Sequence, residues 1–320
     1  MPAFKHRAYG LNFLSDMELI GMKRAEFDHA DVVVRLGPVD ADVERHRRGK
    51  ITRFRAWEAS NGHFLLEMEN IARYLVIGGD SIIVEKKADA RDQDIMAFFT
   101  GSALAALLQQ RRLFTLHASA IKTSQGAALF LGRSGAGKST LCYAMQKCGY
   151  PMVSDDVSAI DFDGDDAPYI LPSFPTTRLW GKALEKFGRP RENNIQLRTE
   201  LDKYLVPADA FCAEPQPISR IFYLTKHNHA DISLQKMADA DRFQILSRFT
   251  FRRKFYPAQG IGQFYFASVL KLVKSVAMVK ISRPESPFLL DELVSRVTEN
   301  LIASPEKMNL EVADFTAHEP

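Results

Sequence analysis

Cysteine is scarce in this sequence: 320 residues contain three, at positions 142, 148 and 212. An odd number at this spacing matches neither a disulfide framework nor a metal site built from cysteines. This excludes the disulfide-stabilised secreted domains and the small cysteine-rich metal modules. We expect a reducing, cytoplasmic location, in which Cys142 and Cys148 are small buried residues on or just after a helix.

Long hydrophobic runs are also missing. The most apolar stretches, around residues 95–108 and 261–279, are too short for a membrane span or are interrupted by Lys271 and Lys274. The first seven residues do not have the basic-then-apolar order of a signal peptide. We therefore expect no membrane association.

Neither sign of charge dominates. The formal net charge is +3 at pH 7, with 25% charged and 46% hydrophobic residues. So small an excess of positive charge gives no support for a nucleic-acid partner, and we expect none. The composition is that of an ordinary globular enzyme, and the length suits one large or two average domains.

What the sequence does contain is a complete phosphate-loop motif. Positions 132–139 read Gly-Arg-Ser-Gly-Ala-Gly-Lys-Ser and match G-x-x-x-x-G-K-[ST] in full. An apolar run at 127–131 precedes the motif and a helix-compatible stretch follows it, so strand, loop and helix stand in the required order. Backbone N–H groups of such a loop and the start of its helix wrap the phosphates of a nucleoside triphosphate. The predicted nucleotide contacts are Gly132, Arg133, Ser134, Gly135, Ala136, Gly137, Lys138, Ser139 and Thr140.

A pair of carboxylates, Asp155 and Asp156, follows one predicted helix later at the end of a short apolar strand. A right-handed crossover would make this strand parallel to the first and bring its carboxyl end beside the loop. One carboxylate can then bind Mg²⁺ while the other accepts a proton from a hydroxyl nucleophile. The alternative is that the two residues simply begin a turn.

A β-hairpin is predicted just before the loop. His117 opens an apolar run, a turn cluster follows at 122–126, and the second arm leads directly into the phosphate loop. A single histidine in a strand is more often a core residue than a catalytic one. The position of His117 at the start of the nucleotide-binding unit favours a role in the site.

Together these three motifs resemble the catalytic core of the HPr serine kinase/phosphorylase family, whose nucleotide fold is related to phosphoenolpyruvate carboxykinases. The resemblance covers about residues 117–160 and is closest to the divergent branch that includes peptide serine kinases such as lasso peptide kinases. It implies an α/β fold with a P-loop nucleotide-binding core of HPr kinase/PEP carboxykinase-like type.

The resemblance also implies roles for single residues. Lys138 would contact the transferred phosphate, and the hydroxyl of Ser139 would bind the metal. Asp155 matches the family's catalytic base or acid, His117 would lie near it, and Asp156 would support metal or substrate.

The sequence has no counterpart of the Gly-rich segment that true HPr kinase/phosphorylases carry downstream of the acidic pair. We therefore expect a kinase that uses ATP and Mg²⁺ to phosphorylate a serine other than that of HPr, in a protein or peptide acceptor. A small-molecule hydroxyl kinase and a nucleotide-binding regulator without transfer activity are the alternatives. A transport or motor ATPase is disfavoured, and the assembly state is open between a monomer and a homo-oligomer.

Four basic residues downstream are candidate substrate contacts: Arg178, Lys203, Arg252 and Arg253. Arg178 either faces the active-site edge or starts a solvated helix. Arg252 and Arg253 belong to a segment, 248–256, that interleaves cations with aromatic residues. Such a segment can contact a nucleotide or an acceptor, or it can be one helix with a buried aromatic face.

The rest of the chain predicts a second, smaller unit. Strand-like alternation, punctuated by turn signals, runs from about residue 31 to 87 and predicts a β-rich N-terminal domain over residues 1–90. A helix over 92–111 joins it to the kinase domain, residues 91–303. A terminal helix over 288–302 and a mobile tail over 304–320 complete the prediction.

Overall fold

The computed structural model describes residues 3–40, 43, 51–198 and 200–302. It is a mixed α/β structure, and the strands of these residues form two nine-stranded sheets and one three-stranded sheet. Within these ranges no helix combines the length and the apolar character that crossing a membrane requires.

The first sheet contains the N-terminal strands in the order β3-β1-β2-β4-β9-β8-β7-β6-β5. Successive side chains point to opposite faces, so Val32 and Val34 share one face of β4 and both enter the core. The strand bounds are β1 Phe4–Ala8, β2 Leu11–Ser15, β3 Lys23–Arg24, β4 Val32–Leu36, β5 Thr52–Phe54, β6 Trp57–Ser60, β7 His63–Met68, β8 Ala72–Ile77 and β9 Ser81–Lys86.

Most of these strands agree with the sequence prediction, and two differences have clear causes. The strand-like alternation that the sequence shows over 31–87 is interrupted at Arg55, which adopts a positive φ of 45° and turns the chain between β5 and β6. Strands β1 to β3 lie before residue 31, where the sequence analysis placed no strand.

The predicted helix at 92–111 is present but has three parts: α1 Asp92–Phe98, a π-helical turn Phe99–Ala103 and α2 Leu104–Gln110. It packs its apolar side chains on the first sheet, where the hydroxyl of Tyr74 donates to the Ile95 carbonyl at 2.8 Å. The same hydrophobic core includes Val157, Phe174 and Phe255, so residues from both sides of position 90 contribute to it.

The second sheet is built around three parallel strands, β12, β19 and β21. Its main path runs β10-β14-β15-β19-β12-β11-β13, with β21 pairing with β19 and β20. The third sheet has the order β16-β18-β17. The bounds are β10 Phe114–Leu116, β11 Ala118–Thr123, β12 Gly126–Leu131, β13 Met152–Ser154, β14 Ser158–Phe162, β15 Pro168–Leu171, β16 Thr176–Trp180, β17 Ile195–Arg198, β18 Leu201–Pro207, β19 Gln216–His227, β20 Ser233–Lys236 and β21 Ala277–Pro284.

The hairpin before the loop is confirmed, because β11 pairs antiparallel with β12. The strand that leads to the acidic pair, β13, pairs antiparallel with β11 and so runs in the same direction as β12. The predicted direction is correct, but β11 lies between the two strands.

Helices cover both faces of this sheet, since alternate residues of β12 enter different cores. Leu129 and Leu131 pack with α5 and α7, whereas Phe130 packs with α3 and α8. The helix bounds are α3 Lys138–Lys147, α4 Gly181–Lys186, α5 Asp239–Phe249, α6 Phe255–Ala258, α7 Gly262–Ser275 and α8 Leu290–Ile302, with a 3₁₀ turn at Arg191–Asn193.

Helix α8 confirms the predicted terminal helix, and the tail at 304–320 lies outside the described residues. The segment 248–256 is not one helix: α5 ends at Phe249, Thr250 forms a bridge with Leu116, and α6 begins at Phe255. Cys142 is buried on α3 as expected. Cys148 is exposed, which corrects the expectation for that residue.

Candidate functional site

The loop at 132–137 connects β12 to α3, which begins at Lys138. Two glycines make this turn possible. A Cβ atom at Gly132 would lie 2.8 Å from the carbonyl oxygen of Leu224, and Gly137 has a φ of 104° that L side chains rarely adopt. The backbone can therefore approach β19 closely and then turn directly into the helix.

A cavity of about 380 Å³ lies over this loop, and we call it the loop cavity. Cations outnumber carboxylates around it. The cationic side chains are Lys138, Arg178, Lys182, Lys186, Lys203 and Arg283, and the carboxylates are Asp156 and Glu285. Such a lining attracts a polyanion.

Lys138 is buried and its ammonium group points back over the loop. The Nζ atom donates to the Gly132 carbonyl at 2.8 Å and lies 3.1 Å from Nε2 of His117. Burial lowers the pKa of Lys138 to about 8, although the charges of Asp155 and Asp156 oppose this shift. An anion that binds beside this lysine would raise its pKa again.

His117 lies between this lysine and the acidic pair. Its Nδ1 is 3.0 Å from the Asp156 carbonyl oxygen, which can only accept, so Nδ1 carries the proton and Nε2 is free to accept from Lys138. Burial and the neighbouring charge of Lys138 lower the pKa of His117, which favours this neutral form.

Asp155 is buried, and four donors surround its carboxylate. One oxygen accepts from the hydroxyls of Ser119 and Ser139 at 2.5 and 2.9 Å. The other accepts from the hydroxyl of Thr177 and the backbone N–H of Arg178 at 2.7 and 2.8 Å. Asp155 therefore joins the loop helix to β11 and β16, and it does not line the loop cavity.

Asp156, in contrast, lines the loop cavity. Its backbone has a φ of 68°, which turns its side chain away from that of Asp155 and toward the guanidinium of Arg178, with which it forms an ion pair. Burial alone would raise the pKa of Asp156, but the positive charges of Arg178 and Lys203, with smaller contributions from His117 and Lys138, hold it well below its usual range.

Arg178 is a buried residue of β16 that connects three parts of the molecule, which excludes the solvated helix start considered for it. Its guanidinium pairs with Asp156 and donates to Thr100 Oγ1 at 2.7 Å. Thr100 lies in the π-helical turn and itself donates to the Met96 carbonyl at 2.7 Å. The helix that packs on the first sheet thus helps to fix the position of a carboxylate that lines the loop cavity.

The donor set fits Mg²⁺ that is shared with a bound phosphate. In the described part of the chain no group of three or more His, Cys, Asp or Glu side chains could hold a metal by itself. Mg²⁺ commonly takes one or two protein oxygens and completes its shell with phosphate oxygens and water. Such oxygens are present on the hydroxyl of Ser139 and on the carboxylate of Asp155, to which Ser139 donates at 2.9 Å. The carboxylate of the nearby Asp156 could take the place of Asp155.

The loop cavity brings together most of the predicted residues. Its lining includes six of the nine predicted nucleotide contacts, namely Ser134, Gly135, Gly137, Lys138, Ser139 and Thr140. It also includes His117, Asp156, Arg178 and Lys203. Arg133 lies on a neighbouring cavity instead. Arg252 is outside the lining but close enough to interact electrostatically with Asp156, and Arg253 is not part of the lining.

Several residues of the site were not predicted. Arg283 donates twice to the Ala136 carbonyl, at 3.1 and 2.7 Å, and so supports the loop from β21. Ser119 and Thr177 hold Asp155, while Trp180 and Phe288 add aromatic walls to the cavity. No local pattern marks these residues, because each reaches the site from a segment outside the phosphate-loop motif and the acidic pair.

Comparison with known proteins adds little. No family model matches the sequence, and no curated protein matches it. Among solved structures the chain is similar to the HPr(Ser) kinase/phosphatase from Coxiella burnetii, with a TM-score of 0.30 and 13% identity over 58% of this chain and 89% of that chain. A likeness at this TM-score carries no argument, so the function has to be inferred from the site itself.

Proposed function

We propose that the protein is a kinase that uses ATP and Mg²⁺ to phosphorylate a serine hydroxyl of a protein or peptide, and that it works in the cytoplasm. The observation that supports this most is the loop cavity itself. The phosphate-loop motif, the buried Lys138, His117 and Asp156 line it together. Behind the lining, Asp155 accepts a hydrogen bond from Ser139 of the loop at 2.9 Å. The sequence resemblance to HPr-kinase-like proteins supports the same reaction.

The loop and its cations would bind the triphosphate. Residues of the loop and of the start of α3 line the cavity, and their backbone N–H groups would donate to phosphate oxygens. Lys138 would leave the Gly132 carbonyl to contact the transferred phosphoryl group, and the negative charge would keep it protonated. Trp180 and Phe288 offer apolar surface for the nucleoside at the side of the cavity near α4.

The contacts favour other roles for the two carboxylates than the sequence suggests, with Asp155 on the metal side and Asp156 as the proton acceptor. Asp155 has four donors and no exposure to the cavity, so it is suited to orienting Ser139 on the metal side. Asp156 lines the cavity and is the carboxylate that an acceptor could approach. Mg²⁺, when bound, would neutralise charge on the phosphates.

Asp156 would then accept the proton of the serine hydroxyl as the serine oxygen forms its bond to the γ-phosphorus and the bond to the ADP oxygen breaks. Its low pKa in the free protein makes it a weak base. A bound triphosphate would raise that pKa, because negative charge near a carboxylate disfavours its ionised form. His117 would hold the backbone of Asp156 through its Nδ1 hydrogen bond.

The test is to measure binding and transfer separately. Mg·ATP binding is measured by calorimetry, and transfer is measured with γ-labelled ATP and a library of serine peptides and proteins. We expect binding and label transfer in the native protein, and loss of both in Lys138→Met. Binding without label transfer to any acceptor would contradict the kinase proposal and favour a nucleotide-binding regulator, whereas absence of binding would exclude both.

A further inference from the structure

A second cavity of about 280 Å³ adjoins the loop cavity, with which it shares Ser134 and Glu285. We call it the side cavity. Residues 223–226 at the carboxyl end of β19 line it, together with Arg133 and Ala136 from the loop that follows β12. It therefore lies outside the carboxyl ends of two parallel strands, which is where ligands bind in open α/β sheets.

The side cavity is positively charged and its charge is only partly compensated. Its lining contains three cations, Arg133, Lys226 and Arg248, and one carboxylate, Glu285. Glu285 is already paired with Lys226 at 3.2 Å. Neither arginine has an ion-pair partner among the residues that the structure describes. Two exposed guanidinium groups are thus available for a bound anion.

The position of the side cavity relative to the reacting groups distinguishes it from a nucleoside site. Arg248 belongs to the end of α5, and the next residue, Phe249, accepts the backbone N–H of His117 at 2.8 Å. Arg252, four residues further on, interacts electrostatically with Asp156. The side cavity therefore adjoins the end of the site where His117 and Asp156 lie.

The two cavities differ in their aromatic surface. Trp180 and Phe288 line only the loop cavity, together with two lysines of α4. The aromatic residue of the side cavity, Tyr223, is buried and packs against the ring of Phe249, so it offers little free ring surface. A nucleoside is therefore better accommodated in the loop cavity, and the side cavity is left for the other substrate.

From this arrangement we propose that the side cavity binds acidic side chains next to the acceptor serine, so that the kinase selects serine within an acidic peptide segment. The inference rests on the proposed kinase function. Arg133 and Arg248 would each donate to a carboxylate of the peptide, while the serine hydroxyl extends past Ser134 toward Asp156. The cavity has room for side chains of an extended peptide, and its charge repels basic ones.

The experiment compares two labelled peptides of equal length, Asp-Glu-Ser-Asp-Glu and its amide counterpart Asn-Gln-Ser-Asn-Gln. Their binding is measured by fluorescence anisotropy on the full chain, with and without a saturating non-hydrolysable ATP analogue and Mg²⁺. We expect the acidic peptide to bind about tenfold more tightly at low ionic strength, and this preference to decrease with added salt.

Two variants locate the effect. Arg248→Gln should remove most of the preference and leave affinity for the amide peptide and for nucleotide unchanged. The matched control is Arg35→Gln, an exposed arginine of β4, which should behave like the native protein. Equal affinity for the two peptides, no measurable binding of either, or a preference that survives Arg248→Gln would overturn the inference.

The design separates this inference from the proposed function. Absence of nucleotide binding would refute the kinase proposal whatever the peptides do. Nucleotide binding together with indifference to the acidic residues would refute only the selection of an acidic acceptor.

Discussion

The two nine-stranded sheets are similar in size but differ in what they bury. Of the buried Lys, Arg, Asp and Glu residues in the described part of the chain, Glu58 alone belongs to the first sheet. Of the others, Arg178, Arg220 and Arg283 belong to the second and third sheets, Lys138 begins helix α3, and Asp155 directly follows β13. Burying charge costs stability unless partners compensate it, so such residues mark where a fold serves function as well as packing.

The first sheet therefore has a mainly structural role, with one exception. Its helix reaches the site through Thr100, which holds Arg178, which in turn holds Asp156. The difference between the sheets can be tested with two kinds of substitution. One kind changes a polar group at the site and keeps the shape of the side chain, and the other removes a buried apolar side chain from one of the sheets.

The largest effect on chemistry is expected at Asp156. Replacement by Asn should lower the transfer rate about 1000-fold, since a carboxylate that accepts a proton typically contributes this much. The Mg·ATP affinity should change little, whereas the unfolding free energy should fall by about 3 kcal/mol, because the buried guanidinium of Arg178 loses its ion-pair partner. The rate is measured with γ-labelled ATP at saturating acceptor, with Asp165→Asn in an exposed hairpin turn as the control. A rate near the native one would remove Asp156 from the proton-transfer role and return that role to Asp155.

A matched pair of core substitutions compares the sheets directly. Phe64 in β7 and Phe130 in β12 are both fully buried and both contact another aromatic ring. Replacing either by Ala should lower the unfolding free energy by about 4 kcal/mol. The folded fraction of Phe64→Ala should keep the native nucleotide affinity, whereas Phe130→Ala should weaken binding, because Phe130 lies next to the start of the loop.

Denaturant unfolding and calorimetric titration of the two proteins give these quantities. Equal loss of nucleotide affinity in both variants would show that the sheets are not separate in function.

A smaller effect is expected at the link between the sheets. Thr100→Val keeps the shape of the side chain but removes the acceptor of the Arg178 guanidinium. The turnover number should decrease about tenfold, because Asp156 is then held less firmly, and Thr100→Ser should restore it. The KM for ATP should stay near the native value. A loss that Ser does not restore would indicate a packing defect rather than loss of the hydrogen bond.

The smallest effect is a pH dependence that originates at Lys138. Because the pKa of this lysine is lowered to about 8 in the free protein, its charge is lost as the pH rises through that value. The dissociation constant for Mg·ATP should increase about tenfold between pH 7 and pH 9.

The affinity for Mg·ATP thus falls as the pH rises, whereas the free energy of unfolding should rise. Between about pH 8 and the ordinary lysine value of 10.5, the unfolded chain binds more protons than the native one, so the contribution of Lys138 to the unfolding free energy rises with pH. Lys138→Arg, which stays protonated, is the control for both measurements. A dissociation constant that is flat across this range in the native protein would contradict the assigned pKa.

The sequence predicted the local elements around the loop better than the contacts between distant segments. The loop at 132–139, the hairpin that begins after His117 and the direction of β13 follow local rules of spacing and turn chemistry, and the structure agrees with them. The exact place of β13 could not be predicted, since pairing with β11 rather than β12 depends on which edge is free.

Contacts between distant segments were beyond sequence reasoning. Nothing near Arg178 indicates that Thr100 will accept its hydrogen bond, and Arg283 meets the loop only because β21 is parallel to β19. The same holds for the acidic pair. Adjacent aspartates look equivalent in a sequence, and it is the positive φ of Asp156 that sends one carboxylate into the protein and the other into the cavity.

A crystal structure of the full chain with Mg²⁺ and a non-hydrolysable ATP analogue tests the central claim most directly. The account predicts phosphates within the loop at 132–139, Mg²⁺ about 2.1 Å from the hydroxyl oxygen of Ser139, and a γ-phosphate between Lys138 and Asp156. A triphosphate bound outside the loop cavity, or a γ-phosphate directed away from Asp156, would contradict it.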